Sequence, residues 1–203
     1  MRHPANARLL TTVAVMLALG RSASAHSVKP DRELVVQLDQ RGAAALWQLT
    51  VGGGPALVLF ANGDLDHDGV LSEGERVALA LSMLSKAVGG VVVSWDGVPL
   101  SRANLKPKLE ASDRLLVAFG LSELDLPSES GRCGEHRLAV ELEPRAAPLA
   151  VDIRTLDLWR VVDVSARPVR TGQGAGAPLV LAPNERLEVR VTGSACAGPD
   201  GPW

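Results

Sequence analysis

Four stretches of this chain alternate apolar and polar residues with a period of two, and that pattern constrains the fold more than any other feature. Leu34, Val36 and Leu38 share one side of "RELVVQL", and Leu138, Val140 and Leu142 do so in "RLAVELE". Val151 and Ile153 alternate with Asp152 and Arg154, and Leu187, Val189 and Val191 alternate with Glu188, Arg190 and Thr192. Such strands bury one face and wet the other, as antiparallel sheets allow. The runs "AALWQLTV", "GVVVSWDG", "RLLVAFGL" and "LWRVVDVSA" read as further strands, and Asp96-Gly97 before "VPL" reads as a tight hairpin turn. "TGQGAGAP" (171–178) reads as a surface connection between strands.

One helix interrupts this pattern. From Ser72, "SEGERVALALSMLSKAV" places Val77, Leu81, Leu84 and Val88 at helical spacing, with Leu79 and Met83 widening the apolar face. Glu73 and Glu75 stand near its start and Lys86 near its end, as the helix dipole favours, and Gly89-Gly90 stops it. A face this wide needs a sheet to cover it. The expected fold is therefore mainly β (α+β): an antiparallel β-sandwich-like domain with one inserted loop–helix. With two Phe and no Tyr in the chain, Trp47, Trp95 and Trp159 are the expected core anchors.

The helix is preceded by the most chemically loaded stretch, "NGDLDHDGVLSEGE" (62–75). Calcium takes hard oxygen ligands at fixed positions around a sharp turn. Asp64, Asp66 and Asp68 stand at positions 1, 3 and 5 of a twelve-residue loop, and Gly69 stands at position 6, where the chain turns through a φ that glycine adopts at least cost. Val70 at position 7 offers its backbone carbonyl, Leu71 turns its side chain inward, Ser72 at position 9 can act through a water, and Glu75 at position 12 can bind bidentately. His67 at position 4 reads as a surface residue. The competing reading is a solvated acidic turn, against which stands the mutual repulsion of four carboxylates without a cation.

All ligand positions of D-x-[DN]-x-[DN]-G-x5-E are met, so the stretch resembles a single EF-hand loop, in a segment of about residues 55–88. The sequence shows no second such loop, and the incoming helix "PALVLFANG" reads as short. A lone loop of this kind implies a calcium affinity of about 10⁻⁴–10⁻³ M, the extracellular range. More broadly, residues 25–100 resemble the periplasmic portion of HupE/UreJ-type proteins and small periplasmic proteins associated with nickel and cobalt permeases. That likeness implies a membrane transporter or envelope protein as partner.

The N-terminus reads as an export signal. Arg2 and Arg8 flank the start, "LLTTVAVMLAL" forms an apolar core too short to span a bilayer, and Ala23-Ser24-Ala25 is a small-residue cleavage site. Residues 1–25 are thus the expected signal peptide, and 26–203 a periplasmic or secreted domain with no later transmembrane segment. Loss of Arg2, Arg8 and Arg21 leaves 18 basic against 23 acidic residues, a net charge of −5, which disfavours nucleic acid as a partner. Cys133 and Cys196, the only cysteines, are expected to pair in an oxidising compartment, stabilising the fold by roughly 4 kcal/mol. A reactive thiol would need an activating base, for which His136 is the nearby candidate.

No nucleophile elbow, dinucleotide fingerprint or H-E-x-x-H occurs. The reading is a non-enzymatic calcium-binding protein with Asp64, Asp66, Asp68, the Val70 carbonyl and Glu75 as ligands. The alternative is an accessory protein of nickel or cobalt transport with His26, the expected mature N-terminus, as a metal ligand.

Overall fold

The computed structural model describes residues 31–39, 42–112, 114–126, 133–156, 159–167, 170–171 and 179–194. Residues 1–25, the expected signal peptide, together with His26, Cys196, Trp203 and most of 171–178, lie outside the described residues, as does the side chain of Cys133.

The chain is mainly β; the described residues form twelve strands in two sheets, with two helices between the second and third strands. The strands are β1 (Arg32–Asp39), β2 (Gly42–Gly52), β3 (Val91–Trp95), β4 (Val98–Pro99), β5 (Arg102–Ser112), β6 (Leu115–Leu124), β7 (Cys133–Leu142), β8 (Leu149–Thr155), β9 (Trp159–Arg167), β10 (Arg170–Thr171), β11 (Leu179–Leu181) and β12 (Arg186–Ser194). The helices are α1 (Gly53–Gly63) and α2 (Glu73–Val88). One sheet has the order β10-β11-β8-β1-β2-β6-β5, and the other β4-β3-β7-β12-β9. Buried residues of both sheets, Leu34 and Val36 of the first and Val93, Leu138 and Leu187 of the second, belong to one core cluster.

The alternating runs become strands with the expected faces. Leu34, Val36 and Leu38 are buried along β1, and Leu187, Val189 and Val191 along β12. Asp96 and Gly97 form the β3–β4 turn with φ of 50° and 84°, the positive pair that a two-residue hairpin needs. Trp47 and Trp95 are fully buried and Trp159 nearly so. Trp95 and Trp159 meet edge to face with ring centroids 5.5 Å apart.

One pairing departs from the antiparallel expectation. β1 runs parallel to β8, with Leu34 opposite Val151 and Val36 opposite Ile153. The alternation is the same in both directions, so it cannot choose between them; the choice comes from where the chain re-enters the first sheet after β7. β5 is not among the strands expected from the sequence, although Ala103, Leu105, Leu109 and Ala111 alternate there with polar residues. It lies at the sheet edge, carries Pro107, Lys106 and Lys108, and bulges between Ala103 and Lys106, features that discourage pairing with another chain.

The face of α2 also differs from expectation. Leu79, Ala80, Met83, Leu84 and Ala87 are buried, whereas Val77 and Leu81 are 38% and 43% exposed. The inward stripe runs Glu75, Leu79, Met83, Ala87 at i, i+4 spacing. Glu75 fixes this orientation by reaching back to the loop, and the small side chains of Ala80 and Ala87 let the helix lie close on the sheet. Leu84 packs against Gly120 of β6. At the other end of α2, Arg32 is buried and donates from Nε to the Ala87 carbonyl at 2.6 Å, from Nη1 to Ala147 O at 2.8 Å, and from Nη2 to Gly89 O. A cation thus satisfies the orphan carbonyls at the negative end of the helix, and burial lowers its pKa.

α1 is longer than its sequence indicates. It begins at Gly53, two residues before Pro55, and spans 11 residues. Pro55 falls in the first turn, where its missing N–H costs nothing. No side chain caps the start, and Ala56 is the one buried residue of the helix.

Candidate metal centre

The link from α1 to α2 is built on the Asp64 side chain. At the end of α1 the Asp64 amide donates a hydrogen bond to the Phe60 carbonyl at 3.0 Å, and Asp64, 6% exposed, then turns its carboxylate into the loop. Its Oδ1 accepts from the Asp68 amide at 3.2 Å and its Oδ2 from the Gly69 amide at 2.9 Å. The Asp68 amide also approaches Asp66 Oδ1 at 3.3 Å, and the Val70 amide donates to Asp68 Oδ1 at 2.7 Å. These side chain-to-backbone bonds wind the loop around its own carboxylates. Gly69 has φ of 83°, with nothing within 4 Å of the place a Cβ would take. The glycine is therefore demanded by the backbone angle and not by space.

This winding brings together Asp64, Asp66 and Asp68, whose ligand oxygens all lie within 4.8 Å of one another. Three carboxylate oxygens at that separation could hold a metal ion, and as hard oxygen donors they suit calcium or magnesium better than soft metals. Leu71 is buried as expected and His67 is exposed. Val70 is 61% exposed.

Glu75 stands apart from the triad. Its Oε1 accepts the Leu65 amide at 2.6 Å, and its Oε2 accepts the Ser72 amide at 2.8 Å and the Ser72 hydroxyl at 2.7 Å. Ser72 Oγ in turn accepts the Glu75 amide at 3.4 Å, completing a reciprocal capping box at the start of α2. The S-x-x-E spacing of that box was present in the sequence, overlaid on the loop pattern that gave the same two residues metal-ligand roles. Hydrogen bonds from the Ser72 hydroxyl and amide, and from the Leu65 amide, hold the Glu75 carboxyl below its ordinary pKa. Asp66 behaves oppositely. The Asp68 amide pulls its pKa down, but desolvation, the charges of Asp68 and Glu75 and the contact with Asp64 together raise it.

The other residues weighed from the sequence are placed elsewhere. His136 of β7 sets Nδ1 2.8 Å from Asp96 Oδ2 and stacks on Trp95 with centroids 4.9 Å apart. Asp96 Oδ1 also accepts the Arg137 amide at 2.8 Å, so this carboxylate ties the β3–β4 turn to β7. Ser128, Ser130 and the Cys133–Cys196 pairing lie outside the described residues. Among the described residues no helix is long and apolar enough to cross a membrane. No family model, curated protein or solved structure matches this chain.

Proposed function

We propose that this chain is an exported calcium-binding protein, periplasmic or secreted. In this reading one EF-hand-like loop is inserted between β2 and β3 of a β-sandwich-like scaffold. Asp64, Asp66, Asp68, the Val70 carbonyl and Glu75 are the ligands, and the role is structural or binding, not catalytic. The observation that carries the reading is the convergence of the three aspartate oxygens within 4.8 Å around the positive-φ turn at Gly69. Glu75 is the ligand that moves: it exchanges its bonds to Leu65 and Ser72 for the ion. Filling the site to tenfold above its dissociation constant stabilises the fold by about 1.4 kcal/mol, by mass action.

Calorimetry on decalcified mature protein tests this. Calcium binds with a dissociation constant of about 10⁻⁴–10⁻³ M, magnesium binds more weakly, and Asp64→Ala abolishes the heat. An absence of calcium heat in folded protein overturns the reading. Tight nickel binding lost in His26→Ala replaces it with the transport-accessory alternative.

A further inference from the structure

Beside the acidic loop, α1, the loop and the end of β5 border a groove of about 430 Å³ that shares only Val70 with the proposed ligand set. That volume lies within the range of small-ligand sites. Its walls are apolar: Leu57 and Phe60 from α1, Val70 and Leu71 from the loop, and Ala111 from β5. Leu57 and Val70 are 52% and 61% exposed, so apolar surface stands in water at the groove mouth.

One charged residue lines this groove, and it is a cation, Arg76. Its Nε donates to the Leu71 carbonyl at 3.0 Å, which fixes the guanidinium against the loop. Among the described residues its Nη donors have no hydrogen-bond partner, and no Asp or Glu lines the groove. Arg76 also sits in the first turns of α2, at the positive end of the helix dipole, where an anion is favoured and a cation is not. A planar fork of free N–H groups beside an apolar trough matches a carboxylate joined to an apolar body.

We propose that this groove is a binding site for a small apolar carboxylate, with Arg76 pairing the carboxylate and Leu57, Phe60 and Val70 covering the hydrocarbon. A medium-chain fatty acid anion has this chemistry. The site is defined without reference to the metal. The neighbouring loop carboxylates repel an anion, so a cation bound there strengthens the ligand's binding.

The test is titration of the folded mature protein with decanoate below its micellar concentration, read by calorimetry and by amide NMR, once in EDTA and once with calcium. Decanoate is expected to bind in both, shifting the amides of residues 57–60, 69–71 and 76. The neutral analogue decanol should bind at least tenfold more weakly. Arg76→Gln should weaken decanoate at least tenfold while leaving decanol unchanged, Arg76→Lys should recover part of the loss, and Leu57→Ser should weaken both ligands. If Arg76→Gln lowers stability, the decanoate-to-decanol ratio in the wild-type protein still decides. No decanoate binding in either condition, equal affinity for decanol, or shifts confined to other residues would overturn the proposal. Failure of the calcium site alone leaves binding in EDTA intact, so the two readings fail separately.

Discussion

The Glu75 carboxylate, in the first turn of α2, accepts a hydrogen bond at 2.6 Å from the amide of Leu65, ten positions earlier and just past the end of α1. The same carboxylate closes the capping box with Ser72. One side chain thus fastens the loop to its exiting helix, and in the proposed calcium-bound form it is the twelfth-position ligand.

Capping and metal binding can be separated at Ser72. Without calcium, Ser72→Ala removes the N-cap acceptor and should cost about 1 kcal/mol of stability in urea unfolding. Glu75→Ala should cost a similar amount, and the double variant less than the two together, because both changes break one reciprocal contact. Calcium affinity should fall by at least tenfold in Glu75→Ala but only slightly in Ser72→Ala. In the wild-type protein, calcium should move the Leu65 amide proton upfield as its bond to Glu75 is lost.

The two perturbed carboxylates of the loop make opposite contributions to acid stability. Glu75 has a lowered pKa in the fold, so it contributes stability that is present above its ordinary value of 4.5 and lost as pH falls through the folded value. Asp66 has a raised pKa, so its contribution is present below the ordinary 3.8 and lost as pH rises through the folded value. In EDTA, Glu75→Gln should therefore flatten the loss of stability below pH 4.5. Asp66→Asn should raise the melting temperature at pH 7 while weakening calcium binding without abolishing it, since an Asn oxygen still serves at the third position. A fall in melting temperature for metal-free Asp66→Asn would refute the repulsion argument.

Arg32 gives three hydrogen bonds to carbonyls of Ala87, Gly89 and Ala147. Arg32→Met keeps the buried volume but leaves these acceptors unpaired, at about 3 kcal/mol in chemical denaturation, since each unsatisfied buried group costs about 1–3 kcal/mol. Arg32→Lys should recover little, because an ammonium lacks the fork that spans three carbonyls. A loss below 0.5 kcal/mol, about that of an ordinary surface substitution, would contradict this role.

Gly90 joins α2 to β3 with φ of 69°, and a Cβ there would lie 2.8 Å from Ala146 Cβ. Gly90→Ala carries both a backbone and a steric cost, together about 2–4 kcal/mol. Adding Ala146→Gly should restore the steric part and leave the backbone part, so partial rescue is the expected outcome. Full rescue would show that the backbone angle costs nothing.

The strand faces along β1, β7 and β12, the Asp96-Gly97 hairpin, the buried tryptophans and the spacing of Asp64, Asp66, Asp68 and Gly69 were all legible in the sequence. Each is a local matter of side-chain period or backbone angle, which neighbouring residues fix. Along β8 the expected alternation is blurred, since Ala150 is buried and Asp152 and Ile153 are both half-buried. Only the tertiary structure decided that β8 lies parallel beside β1 and that β5 forms an edge strand. It alone decided that α2 turns Leu79 and Met83 inward instead of Val77 and Leu81, and that Glu75 caps its helix while facing the loop. Those choices rest on contacts between residues far apart in the chain. An apolar period shows that a face will be buried, but which of two candidate faces wins depends on what lies opposite it.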